Sequence, residues 1–489
     1  MYKTIWITAG VAAVLLGLAC SASGAPTETS QQHESTAARN QVGQTEASGS
    51  SGSSQQRLEP TATPQDDGDQ QRGSTPAIQG RLEPTTTPPG NESFGDSGQD
   101  SGTLAQGSIS SFQEEIGNAY PGLLSLPECS ASTQLTIAPL ADDAYEMILP
   151  LGLLTTPQWV LPSSHVYYQL VREISPSGGY GSPAIADVRA PADIRILGVD
   201  SSESMGGPQG DYTDYEITFA PCQGRMYKLL HVSTMNAQLQ QLFDATEAQS
   251  CTEYGGGTTQ NRLCVKKLNL DMAVETVIGT TGGKVSSAMD LEAYDLAGPS
   301  LAYANPARMG GRVESLLRLK VACPFDDFAP EVRESQLARI GDIGANRLRT
   351  AEPLCGEVMQ DIPGTAQGNW YAGGTESPVG WNQQLGLLHD YIDPTLATIS
   401  IGGILTGHGN WLFEPEPSGS TNRDFSAVTA DGTTYCFQGG TTKQSSQAQK
   451  LFPGRLLVSM TSDTEMLVER QDGDCAGVLA FVEPVTYQR

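Results

Sequence analysis

From about Gln113 onward the chain is patterned as short apolar runs of four to eight residues, punctuated by glycine and proline. YEMILPLG, HVYYQLV, DIRILGV, YEITFA and MYKLLHV are enriched in β-branched and aromatic residues, the signature of strands. NAQLQQLFDAT, just after His231, has helical spacing and predicts one short helix. Many strands with few helices imply a sandwich or barrel-like domain. Between Gly310 and Arg349 the period changes. ESLLRLKVA and PEVRESQLARIGDIG repeat apolar residues every three or four positions, with Pro330 at a first helical turn. This helical stretch is expected to pack on the strands C-terminal to it. From Cys355 the pattern returns to strands: GNWYAGG, LGLLHDYI, TISIGGIL, WLFEPE, SAVTADGTTYCFQ, GRLLVSMTS and EMLVERQ. Six or seven short strands after a helical lead-in predict a second small β-barrel or sandwich. Within it, Asp431-Gly432 suits a type I′ hairpin turn.

Before Gln113 the pattern is different. Lys3 precedes an apolar stretch from Ile5 to Leu18, followed by Cys20. A short apolar core ending in small residues and a cysteine resembles a bacterial lipoprotein signal, with Cys20 as the site of lipid attachment. LLGLAC fits the lipobox loosely, because Leu18 stands where a small residue is usual. An ordinary signal peptide cleaved near Ala22 or Ala25 is the other reading, and both imply export. Residues 21 to 110 carry eleven acidic against four basic residues and no apolar period, so they predict a disordered tether. RLEPTATP from Arg57 and RLEPTTTP from Arg81 read as duplicated spacer. As a random coil the tether spans roughly 50 Å. The expected organisation is a signal over 1–20, a tether over 21–111, a β domain over 112–308 and a C-terminal domain over 309–489.

A formal net charge of −27 repels phosphate backbones and anionic lipid, which argues against nucleic-acid binding. Beyond the signal, no apolar run reaches membrane-spanning length, so membrane association is expected through a lipid anchor only. Setting Cys20 apart from the nine cysteines leaves an even set: Cys129, Cys222, Cys251, Cys264, Cys323, Cys355, Cys436 and Cys475. An even set without a CxxC pair, in an exported chain, favours disulfides over metal binding. Proximity suggests Cys251 with Cys264, Cys323 with Cys355, Cys436 with Cys475, and Cys129 with Cys222, although sequence does not fix connectivity.

The order of segments in the first β domain carries a family likeness. ILPLG (Ile148 to Gly152) precedes His165 in PSSHVYYQ, and VRAPADIRILGV, YEITFAPC and KLLHV with His231 come next. VETVIGTTGG (Val274 to Gly283) and AMDLEAYD complete the set. This order resembles the lysostaphin-type zinc metallopeptidases, which cut peptidoglycan peptides and have a duplicated hybrid motif fold. The resemblance covers about 150 residues. It implies zinc ligands from an HxxxD motif and an HxH strand, with a histidine in an "HL" element as general base. Here His165 keeps the first ligand, but Gln169 replaces the aspartate, and the HxH strand reads Asp290-Leu291-Glu292.

Two functions are therefore weighed, beside a third class, a small-ligand carrier using the C-terminal barrel, which has no motif behind it. In one, His165, Asp290 and Glu292 bind zinc with His231 as general base, giving a peptidoglycan endopeptidase with an unusual ligand set. In the other, the fold persists without its metal, no cofactor is needed, and the domain binds wall material or an envelope partner. The second is the leading expectation, because two of three ligands are replaced. An isolated histidine in an apolar strand is also more often a hydrogen-bonded core residue than a ligand. The expected location is the outer face of the cytoplasmic membrane, the periplasm or the cell surface. Asp326-Asp327 in CPFDDF resemble a metal pair but suit a helix start, where acids are favoured. Trp370, Trp381 and Trp411 lie near glycine-rich turns, where aromatics either stack on sugars or fill a core.

Overall fold

The computed structural model describes residues 114–489 except 157–158, 175–179, 208–209, 257–258, 310–312, 343–346, 374–380 and 443–449. The signal over 1–20 with Cys20, and the tether over 21–111, lie outside the described residues. The described chain is mainly β, with few helices.

The first group of apolar runs forms β1 (Tyr145–Leu149), β2 (His165–Leu170), β3 (Arg172–Ile174), β4 (Tyr180–Pro183), β5 (Ala186–Arg189) and β6 (Ile194–Met205). It continues with β7 (Tyr212–Cys222), β8 (Arg225–Met235), β9 (Ser250–Gly256), β10 (Thr259–Met272), β11 (Val277–Thr281) and β12 (Ala288–Asp295). Strands β3 and β4 pair as a separate hairpin, and the other ten form one antiparallel sheet ordered β1-β2-β12-β8-β7-β6-β10-β9. Strand β11 lies off this path, paired with β5 and with the far end of β8. Because successive side chains alternate faces, Val166 and Tyr168, Leu229, Leu291, and Ile217 and Phe219 are buried together on one face. The helix Ala237–Ala245 starts at Asn236, whose side chain caps Leu239 N, and it buries Leu239 and Phe243.

The helical lead-in belongs to this first core, which corrects the expectation that it packs on the C-terminal strands. Leu317, Val321, Phe325, Phe328 and Ile340 all join the first cluster, which extends to Val358. Phe325 meets Tyr168 edge-on at 6.5 Å, and Gln336 Nε2 donates to Tyr145 Oη at 3.0 Å. Isolated bridges join Leu135 to Phe328, Ile148 to Ile340 and Tyr294 to Val321. The physical reason is that an apolar stripe on a helix specifies burial but no partner. A core boundary thus falls between Val358 and Ala366, where the second cluster begins, and the expected division at 308/309 cuts through the first core.

After a short pair of β13 (Gly341–Asp342) and β14 (Arg347–Leu348), the second sheet takes up β15 (Gly368–Ala372), β16 (Gln384–His389), β17 (Ala397–Ile401) and β18 (Gly409–Phe413). It is completed by β19 (Tyr435–Gln438), β20 (Thr441–Thr442), β21 (Arg455–Ser462), β22 (Glu465–Gln471) and β23 (Val485–Gln488). The nine strands run β19-β21-β22-β23-β15-β16-β17-β18-β20, all antiparallel. The two end strands, β19 and β20, are separated in sequence only by Gly439 and Gly440, so the sheet curls back on itself. Its interior holds Trp370, Trp411, Phe413, Phe425 and Phe437. Trp370, 0% exposed, and Trp411, 5% exposed, are core residues and offer no face for sugar stacking.

The hairpin expected at Asp431-Gly432 is absent from the described strands. Gly432 does take a positive φ of 82°, and Asp431 Oδ1 accepts from Thr433 N. The run before it instead forms a 3-10 turn, Phe425–Ala427, and β19 pairs with β21. Burial of the Phe425 ring against Phe413 and Phe437 outweighs the local turn signal.

The two sheets meet through a small cluster of Leu149, Leu153, Leu154, Tyr167 and Ala288 against Leu388, Tyr391 and Ile392. Arg349 Nη1 donates to Tyr391 O at 2.7 Å, and Asn410 Nδ2 donates to Leu154 O at 2.9 Å. Disulfides join Cys129 to Cys222, Cys251 to Cys264, Cys323 to Cys355 and Cys436 to Cys475. Four disulfides are compatible with an exported protein. No helix among the described residues is long and apolar enough to cross a membrane.

Candidate functional site

Pairing of β2, β12, β8 and β7 places one polar row across the sheet. Glu292 stands opposite His165 on one side and Lys228 on the other, and Asp290 stands opposite Leu230. Strand β8 forks here: up to Leu230 it pairs with β12, and from Val232 with β11. His231 sits at the fork with φ of 65°, a left-handed conformation that is uncommon outside glycine. The β7–β8 ladder is bulged here, with Leu230 and His231 of β8 lying opposite Glu216 alone on β7. A bulge re-aims the side chain it carries. Thr281 Oγ1 donates to His231 O at 2.6 Å and fixes the bend.

The re-aimed His231 ring lies between two carboxylates. Its Nδ1 is 2.8 Å from Asp214 Oδ2, and its Nε2 is 3.4 Å from Asp290 Oδ2. His165 Nε2 approaches the same Asp290 oxygen at 3.2 Å, without hydrogen-bond alignment. The result is a chain from His165 through Asp290 and His231 to Asp214. The side chains of His231, Asp214 and Asp290 are 13%, 6% and 3% exposed. Trp159 and Tyr167 flank the His165 ring edge-on.

Electrostatics follow from this burial. Desolvation works against a charged imidazole, but Asp214 and Asp290 outweigh it and hold His231 well above its usual pKa. Burial would raise Asp290, yet the adjacent His231 and His165 bring it down to about 2. Lys228 is likewise buried, and Glu216, in contact with its ammonium, keeps its pKa raised. Burial, with the Asp290 charge beside it, pushes the Tyr167 phenol up.

Of the residues singled out from sequence, His165, His231 and Asp290 come together. Glu292 shares their strand face but lies against Tyr294 and Lys228. Gln169 is further still, because four residues along the extended β2 amount to about 13 Å. Among the described residues no group of three or more His, Cys, Asp or Glu side chains is arranged to hold a metal ion. The expected set of His165, Asp290 and Glu292 does not fit zinc as it stands, because Glu292 lies against Lys228 and Tyr294. Asp214 is the member that sequence reasoning passed over. Its signal was present: acids are depleted in strands, yet YTDYEITFA carries Asp214 and Glu216 on alternate positions.

A further histidine–acid contact lies at the end of β16, beside an acid that closes a turn. His389 Nε2 lies 3.2 Å from Asp424 Oδ2, and Asp390 accepts from Ile392 N and Asp393 N in a turn. No protein-family model, curated protein or solved structure matches the chain.

Proposed function

We propose that this chain is an exported cell-envelope protein, lipid-anchored through Cys20, whose peptidase-like β domain binds wall material or an envelope partner without cutting it. The observation that carries this reading is the clamping of His231 between Asp214 and Asp290. A general base must be unprotonated at its working pH, and two carboxylates beside a buried imidazole favour the protonated form. The Nε2 atom that would take a proton already faces Asp290. In this reading the paired charges of the row serve to hold the strands in register.

Sedimentation with purified peptidoglycan sacculi, using the secreted full-length protein, tests binding. Co-sedimentation without release of soluble peptides is expected. Failure to sediment excludes wall material, and failure to retain any isolated envelope protein as well would sink the binding reading. Elemental analysis of protein purified without chelator is expected to find near-zero zinc. One zinc per chain, with peptide release from sacculi, would establish the endopeptidase instead.

A further inference from the structure

The hairpin at the end of the first sheet carries a disulfide unlike the other three. Cys251 on β9 stands directly opposite Cys264 on β10, and the two are only 13 residues apart within one hairpin. The other pairs join segments 93, 32 and 39 residues apart. A ladder holds opposite residues of antiparallel strands about 4.5–5.5 Å apart, at the short end of what a relaxed disulfide spans. The Cα atoms of Cys251 and Cys264 are 4.2 Å apart, against 5.0, 6.0 and 5.7 Å in the other pairs. A bond dictated by strand register in this way is the more readily reduced.

Its surroundings favour thiol chemistry. Cys251 is exposed, whereas Cys264 is buried. Arg262 Nη2 donates to Cys251 Sγ at 3.7 Å, and Arg262 lies two residues before Cys264, on the same side of the hairpin. The Arg262 side chain is 45% exposed and only loosely paired, with Glu203 at 3.8 Å. In a chain of net charge −27, a guanidinium here attracts an incoming thiolate and stabilises a departing one. Glu128 beside Cys129 and Asp474 beside Cys475 act in the opposite sense. Strand β9 is also weakly held. It is the last strand of the sheet and pairs with β10 alone. Ser250, Cys251, Thr252 and Glu253 are all exposed, and none of them joins the first core. A strand held by a single ladder is marginal by itself.

We propose that the Cys251–Cys264 disulfide is a redox switch, which a dithiol opens to release β9 and bare the edge of β10. One thiolate of the dithiol attacks Cys251 Sγ, and the Cys251–Cys264 bond breaks with Cys264 leaving as thiolate. The second thiol then displaces Cys251. Two electrons pass to the protein, the reductant becomes a disulfide, and its two protons end on the cysteines. Release of β9 leaves unpaired backbone groups along β10. The switch does not depend on what the domain binds.

Graded dithiothreitol under native conditions, followed by alkylation and peptide mapping of the secreted full-length protein, reads the order of reduction. Cys251 and Cys264 should be labelled together while the other three pairs stay closed. Hydrogen exchange in β9 should then quicken about tenfold or more, with β7 and β8 unchanged. The double variant Cys251→Ser/Cys264→Ser should show the same exchange without reductant. Arg262→Ala should slow reduction of this pair about threefold, the size of one exposed charge interaction, and Arg262→Lys should restore most of the rate. Labelling of another pair first, unchanged exchange in β9 after reduction or in the double variant, or an unaltered rate in Arg262→Ala would each overturn the switch.

Discussion

His231 owes its protonation to two neighbours on different strands, and this makes its contribution to stability dependent on pH. Its folded pKa lies above the unfolded value of about 6.5, so its stabilisation is fully present below about pH 6.5. That contribution is lost as pH rises through the raised folded value. Asp290 behaves oppositely: its folded pKa of about 2 means stabilisation above the ordinary carboxylate value, lost as pH falls towards 2. The combined contribution of His231 and Asp290 is therefore strongest between about pH 4 and 6.5. Asp214→Asn should cost about 1.5–3 kcal/mol near pH 5, because it removes one of the two carboxylates beside the buried imidazolium. It should also flatten the alkaline limb, and urea unfolding from about pH 3 to 9 measures both. An unchanged alkaline limb would show that Asp214 does not hold the proton. Two histidines and Asp290 were legible in the sequence as polar residues inside apolar strands. The contact between them was not, because it depends on a bulge and a left-handed residue at the fork. Neither feature has a period that a sequence displays, and His231 is not a glycine that would announce the turn.

At the scale of elements, the strands were legible and their partners less so. Alternation with period two marks a strand wherever one face is buried, which is why β6 to β8 stand out. The lead-in helices carry an equally clear period, yet their apolar stripe fits the first core and not the second. Phe325 tests this placement. Its ring is fully buried between Tyr168 and Phe328, so Phe325→Ala should destabilise the first core by about 3–5 kcal/mol. Hydrogen exchange should then quicken in β2 and β12 while β15 to β18 keep their protection. Equal loss in both sheets would mean that the lead-in supports the second core as well. The late strand β23 shows the complementary gap. It is short, comes after an exposed segment with few strand signals, and is specified by the slot between β22 and β15.

For the molecule as a whole, cooperativity rests on the small cluster where the sheets touch. Leu388 is fully buried there, and Tyr167 beside it leads directly to His165. Leu388→Asp places a charge in that apolar contact, at a cost of several kcal/mol. Calorimetry should then resolve two unfolding transitions where the parent shows one, with strand content by circular dichroism retained. A single transition in the variant would mean that Arg349, Asn410 and the covalent connection suffice to couple the sheets. The four disulfide pairs track sequence proximity closely, because each closes a loop within a core and none bridges the two cores.

The connection through Gly439 and Gly440 gives the second sheet a property of its own. The edges of the strand path are consecutive in the chain, so the covalent backbone closes the ring where no ladder of hydrogen bonds does. Thr421 and Leu451 each cover one of those edges with an isolated bridge. A protease that cut between the two glycines would leave every strand pairing of the sheet intact and free its two end strands to move apart. Such a nick would let the curled sheet open, and a margin that then lost its bridge would be prone to edge-to-edge assembly.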